Sequence, residues 1–225
     1  MTAEKKTALR ALALAVICCG LMALIDGYVR PSYGMKSAVK ILLFLCLPIL
    51  LFREQKPLFS RLQADKRGIF TALGLGLAVY AVILAVYFII AGMGWYDFSG
   101  IADQLSANAG VHRDNFLYVS LYISFVNSLL EEFFFRGWLF DSLRPFGEAP
   151  RWSLCCGLFA LYHVAMMTGW FSPVLFALAM VGLAAGAAIF HWLNRRFDAL
   201  LPSWLVHMFA NFAINTVGCL LFGIL

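Results

Sequence analysis

Charge is what this sequence lacks. Only 13% of its 225 residues are Asp, Glu, Lys or Arg, while 63% are hydrophobic. A soluble domain of this length carries roughly twice that charged share. The scarcity leaves no room for a separate soluble domain. Several apolar runs reach the ~20 residues that cross a bilayer, so the chain reads as an integral membrane protein. Familiar hydrolase signatures are missing too. There is no HExxH, and Ser120, Ser124 and Ser128 lie in no GxSxG-like setting. Cys18, Cys19, Cys46, Cys155, Cys156 and Cys219 all fall within apolar runs, with neither zinc-ligand spacing nor a disulfide framework, and read as packing residues. No repeat or low-complexity stretch divides residues 1–225, which read as one transmembrane domain.

What is there is a series of apolar runs, at about 8–26, 36–52, 68–93, 116–136, 151–168, 173–193 and 200–223. Only helices and closed barrels satisfy their backbone in lipid, and these runs are too long and too uniformly apolar for barrel strands. The expected fold is all-α and polytopic, with about seven transmembrane helices. The first run has no convincing small-residue cleavage site and reads as a retained helix rather than a signal peptide. The polar stretch 95–115 reads as a surface helix or loop. Gly182 and Gly186, four residues apart, read as a helix-packing face, and Phe133–Phe134–Phe135 as facing lipid and neighbouring helices.

The net charge of +5 points to membrane topology, not to nucleic acid. With the N-terminus in the cytoplasm, only Arg30, Lys36, Lys40 and Arg113 of the 17 Lys and Arg fall to the outside segments. Lys5, Lys6, Arg53, Lys56 and the other basic residues fall inside, so the N-terminus is expected inside and the C-terminus outside. The compact length and an ending, LLFGIL, without a retention signal favour a bacterial plasma membrane.

Ionisable side chains within such runs are costly and mark functional sites. Glu131, Glu132 and Arg136 lie near the inner end of the fourth run, His163 in the fifth, and His207 and Asn211 in the seventh. His191 ends the sixth beside Arg195 and Arg196 and reads as an interfacial residue; His112 lies in the outer polar stretch. Counted from the inner surface at ~1.5 Å per residue, His163 is about 18 Å deep, and Glu131 and His207 are comparable. One shared cluster explains how all three avoid lipid. Glu132 and Arg136 are spaced i,i+4 and can pair, while Glu131 is turned about 100° away. One carboxylate is thus expected on arginine and the other free for chemistry. His207 and Asn211 are also spaced i,i+4, which suits two donors to one developing oxyanion.

These residues carry a resemblance. Glu131-Glu132-x-x-x-Arg136, Phe159-x-x-x-His163 and His207-x-x-x-Asn211, in that order on successive runs, resemble the three motifs of the CAAX protease and bacteriocin-processing (CPBP, or Abi) family of intramembrane glutamic proteases. The resemblance covers about residues 120–215 and gives no support to 1–115. It implies a helical core with a conical, water-filled cavity open to the cytoplasm, and cleavage of a membrane-associated peptide or protein. It implies Glu131 and His163 as the water-activating pair, His207 and Asn211 as the oxyanion hole, Glu132 and Arg136 as orienting groups and Phe159 as packing. It implies no cofactor.

The residues also admit blander readings. Glu132–Arg136 serves equally as a structural ion pair, and His207–Asn211 as interhelical glue. A metal held by Glu131, His163 and His207 fits the composition. A non-catalytic immunity or scaffold protein is the main alternative, although such a scaffold has no need of the whole polar set. A transporter using Glu131 as a proton relay lacks the matched helix breaks of transporter halves, since Pro48 and Pro173 do not correspond.

Overall fold

A computed structural model describes residues 2–52, 61–167, 169 and 171–225. Among these there is no strand. Eight helices follow in order: α1 (Ala3–Val29), α2 (Tyr33–Leu51), α3 (Lys66–Gly92), α4 (Ser99–Ala109), α5 (116–142), α6 (Glu148–Met167), α7 (Pro173–Phe197) and α8 (Leu200–Leu221). Arg53 and Lys56, counted above toward topology, lie outside the described residues.

Local chemistry sets the helix ends. Asp65 caps α3 by accepting the Gly68 N–H at 2.6 Å. Ser172 and Pro173 open α7 as N-cap and first helical residue. Gly110, at φ 62°, closes α4 in the left-handed region that glycine adopts freely. The polar stretch 95–115 therefore contains a helix, α4.

Five helices, α1, α2, α3, α7 and α8, are long and apolar enough to cross a membrane. The chain is an integral membrane protein. Two of the seven expected spans, at about 116–136 and 151–168, coincide with α5 and α6, which are not among those five. They carry the polar residues: Glu131, Glu132 and Arg136 on α5, Arg151 and His163 on α6.

The other helices compensate for that polarity. Every residue from 131 to 140 on α5 is buried. α1 packs on α6, α7 on α6 and α8, and α3 along α8, while α2 and α8 both contact α5. Phe133, Phe134 and Phe135 consequently do not face lipid. Phe134 stacks on Phe44 with ring centroids 4.1 Å apart, and Phe135 meets Phe159 edge-on at 5.3 Å. The stretch 131–140, enclosed on all sides, buries an aromatic at every angle. His191 is likewise fully buried rather than interfacial, its ring 4.6 Å from Phe140.

The close helix approaches occur elsewhere than expected. Gly182 has open space beside it, whereas a Cβ on Gly76 would lie 2.5 Å from the Phe209 ring where α3 meets α8. All six cysteines are free, and four of them are buried.

Two stretches of α5, Ile123–Asn127 and Glu132–Leu139, are wound as π-helix, a form that recurs at functional sites. α8 follows α5 with a seam of hydrogen bonds from one face. Trp204 Nε1 donates to Ser128 Oγ at 3.0 Å, and Asn211 Nδ2 to the Ile123 carbonyl at 3.2 Å. Asn215 Nδ2 donates to the Ser120 carbonyl at 3.1 Å and to Ser124 Oγ at 3.0 Å. His207 lies within this seam and meets the carboxylates of α5.

Candidate active site

α5 supplies two adjacent carboxylates pointing different ways. Glu131 is 2% exposed and Glu132 is fully buried. The roughly 100° turn between consecutive helical residues sends Glu131 toward α2 and α6, and Glu132 toward α8 and Arg136.

The two oxygens of Glu131 have different surroundings. Oε1 accepts from Lys40 Nζ at 2.5 Å and from Asn127 Nδ2 at 3.0 Å, and Lys40 also donates to Asn127 Oδ1. Oε2 has no hydrogen-bond partner among the described residues. It lies 3.9 Å from His163 Nε2 and 3.6 Å from His207 Nε2. Those separations exceed a direct hydrogen bond and suit a shared polar atom between the groups.

The histidines are held from behind. His163 Nδ1 lies 2.8 Å from the Phe159 carbonyl. A carbonyl only accepts, so Nδ1 carries the proton and the neutral ring's lone pair is on Nε2, facing Glu131. His207 Nδ1 lies 2.9 Å from Glu132 Oε1, a carboxylate oxygen that accepts its N–H, and Nε2 faces Glu131. The His207 ring also stacks on Phe190, centroids 4.9 Å apart. His207 therefore touches both glutamates, one through each nitrogen.

Arg136 Nη1 lies 3.3 Å from Glu132 Oε1. Its guanidinium is fully buried, 4.1 Å from the Phe159 ring and 5.0 Å from Phe190, so cation–π contact supplements the ion pair. Phe159 thus touches Arg136 with its ring and His163 with its carbonyl.

Of the residues singled out from sequence, Glu131, Glu132, Arg136, Phe159, His163 and His207 come together. Asn211 contacts the Ile123 carbonyl instead, one helical turn from His207. Lys40, counted with the outside segments for topology, lies within α2, 3% exposed, and belongs to the cluster together with Asn127. The signal for it was a cation inside the apolar run of SAVKILLFLC, where its cost requires a partner.

The cluster is enclosed. A cleft of about 230 Å³ lined by Asp26, Arg30, Asn108 and Met166, and one of about 310 Å³ lined by Asp65, Arg67, Arg195 and Asp198, both lie away from it. Among the described residues no three or more His, Cys, Asp or Glu side chains are arranged to hold a metal ion.

Fold and site together define a helical membrane protein with a carboxylate–imidazole centre in its interior. Residues 113–213 match the model of the Rce1-like type II CAAX prenyl endopeptidase family, a domain of the CPBP type. No curated protein and no solved structure matches the chain. The match over 113–213 points to protease chemistry on a protein substrate in a membrane context.

Proposed function

We propose that the protein is an intramembrane endopeptidase that hydrolyses a peptide bond near the cytoplasmic face, using water activated by Glu131 and His163. One observation carries the reading: Glu131 Oε2 faces His163 Nε2 at 3.9 Å and His207 Nε2 at 3.6 Å, with each group on a different helix. A water between them reaches a carboxylate and an imidazole lone pair at hydrogen-bonding range.

In the reaction the water oxygen bonds to the substrate carbonyl carbon, and its proton passes to the Glu131–His163 pair. The carbonyl oxygen becomes an oxyanion. His207 Nε2–H and an amide N–H of Asn211 stabilise it. For Nε2 to donate while Nδ1 donates to Glu132, the His207 ring carries both protons. The C–N bond then breaks, and the stored proton goes to the leaving amine. Glu132 and Arg136 hold His207 in place. No serine, cysteine or cofactor takes part. Access for a peptide requires the helices around the enclosed cluster to part toward a cytoplasmic cavity.

Under this reading α5 and α6 also span the membrane, giving seven crossings with the N-terminus inside, in a bacterial plasma membrane. Lys40 and Arg136 lie in the core and leave the topology count, so only Arg30, Lys36 and Arg113 remain on the outer side. The balance still favours that orientation.

The test is cleavage of a membrane-peptide library by protein purified in detergent. Wild type is expected to cleave in the presence of EDTA and of serine and cysteine protease inhibitors, while Glu131→Ala and His207→Ala do not. Cleavage abolished by chelation, or undiminished in Glu131→Ala, overturns the reading.

A further inference from the structure

We propose that Lys40 is a positioning residue of this site: it grips one oxygen of Glu131 and turns the other toward the two imidazoles. The proposal rests on Glu131 as the water-activating carboxylate. It concerns a helix, α2, outside the stretch 113–213 that matches the family.

A lysine buried in an apolar helix is costly unless paired. Lys40 is 3% exposed and follows Lys36 by one helical turn. Lys36 is taken by Asp26. The Lys40 ammonium instead meets Glu131 Oε1 at 2.5 Å and Asn127 Oδ1, over the rings of Tyr162 at 4.9 Å and Phe44 at 5.3 Å. Its contacts with opposite charge and acceptors converge on Glu131 and its neighbour one turn earlier.

Two consequences follow from that geometry. The terminal torsion of a glutamate is broad and two-fold, so an unheld carboxylate presents either oxygen. Lys40 and Asn127 both occupy Oε1, which leaves Oε2 for the water. Charge is also matched locally. Two adjacent buried carboxylates repel each other strongly in a medium of low polarity. Glu132 has Arg136 at 3.3 Å, and Glu131 has Lys40 at 2.5 Å. Each carboxylate thus has its own cation, and the first half of the chain supplies one of them.

The experiment uses full-length protein in detergent and dicyclohexylcarbodiimide, which adds to protonated carboxyl groups in apolar surroundings, with the modified residue located by peptide mass. Glu131 is expected to resist in wild type, to gain label in Lys40→Met, and to lose it again in Lys40→Met/Glu131→Gln. Equal labelling of Glu131 in wild type and Lys40→Met overturns the proposal. In cleavage assays Lys40→Met is expected to lower kcat about 10²-fold with KM unchanged, as for a misplaced catalytic group, and Lys40→Arg to recover part of the loss. A rise in KM with unchanged kcat overturns positioning. Thermal unfolding covers the case in which Lys40→Met folds poorly. The double variant is expected to melt well above Lys40→Met, because both charges are gone; equal melting of the two overturns the pairing. If wild type cleaves nothing, the protease reading fails, while labelling and melting still decide the role of Lys40.

Discussion

The outer helices and the central helix of this protein obey opposite rules. α3 and α7 are strongly apolar and have little of their length buried within the chain, so their side chains face outward. α5 carries two glutamates and an arginine and is buried at every position from 131 to 140. In lipid a helix is apolar because of its surroundings. A helix surrounded by other helices is free to carry charge, provided each charge finds a partner. The candidate catalytic groups lie where the surrounding helices bury side chains almost completely.

Substitutions that treat the two regions alike sharpen this contrast. The largest effect is expected at Arg136. Arg136→Met leaves Glu132 buried without its cation and is expected to lower stability by ~3–5 kcal/mol, with much of it recovered in Glu132→Gln/Arg136→Met. Thermal unfolding in detergent measures both, and an undiminished midpoint in Arg136→Met breaks the comparison. Next comes helix contact. Gly76→Ala places a Cβ against Phe209 and is expected to cost ~1–3 kcal/mol. Gly182→Ala, with open space beside it, is expected to be neutral or to stabilise by up to ~1 kcal/mol. Equal melting shifts at the two glycines contradict the packing described for α3 and α8. Asp65→Ala removes the cap of α3 and is expected to cost ~1 kcal/mol, seen as a lower midpoint and earlier fraying in hydrogen exchange. Smallest is Arg195→Ala. Its pair with Glu148 is half-exposed, and its loss is expected to shift stability by under ~1 kcal/mol. A loss there as large as that at Arg136 erases the distinction between interior and surface charge.

The helices and the polar residues of α5, α6 and α8 were legible because both signals are local. Apolar runs define helices in lipid, and a charge within such a run is conspicuous. The i,i+4 spacing of Glu132 and Arg136 likewise corresponds to a pair at 3.3 Å. Contacts between distant segments were not legible. Lys40 and Glu131 are 91 positions apart, and a lysine near the end of an apolar run has the same appearance as a topology determinant. Phe133–Phe135 carries no face preference, since its burial depends on how many helices surround α5. His191 beside two arginines reads as surface, yet α7 turns it inward against Phe140. Asn211 shares a helical face with His207, but a π-wound stretch of α5 brings the Ile123 carbonyl within its reach. One sequence does not announce such a local change of winding.

The most direct test of the central claim, that Glu131 and His163 act together on one water, is the turnover of Glu131→Gln, His163→Ala and the double variant on a single cleaved peptide. Each single change is expected to lower kcat by roughly 10²–10⁴-fold, and the double change no further, because groups that act as a unit are lost together. Multiplicative losses, or wild-type turnover in Glu131→Gln, contradict it.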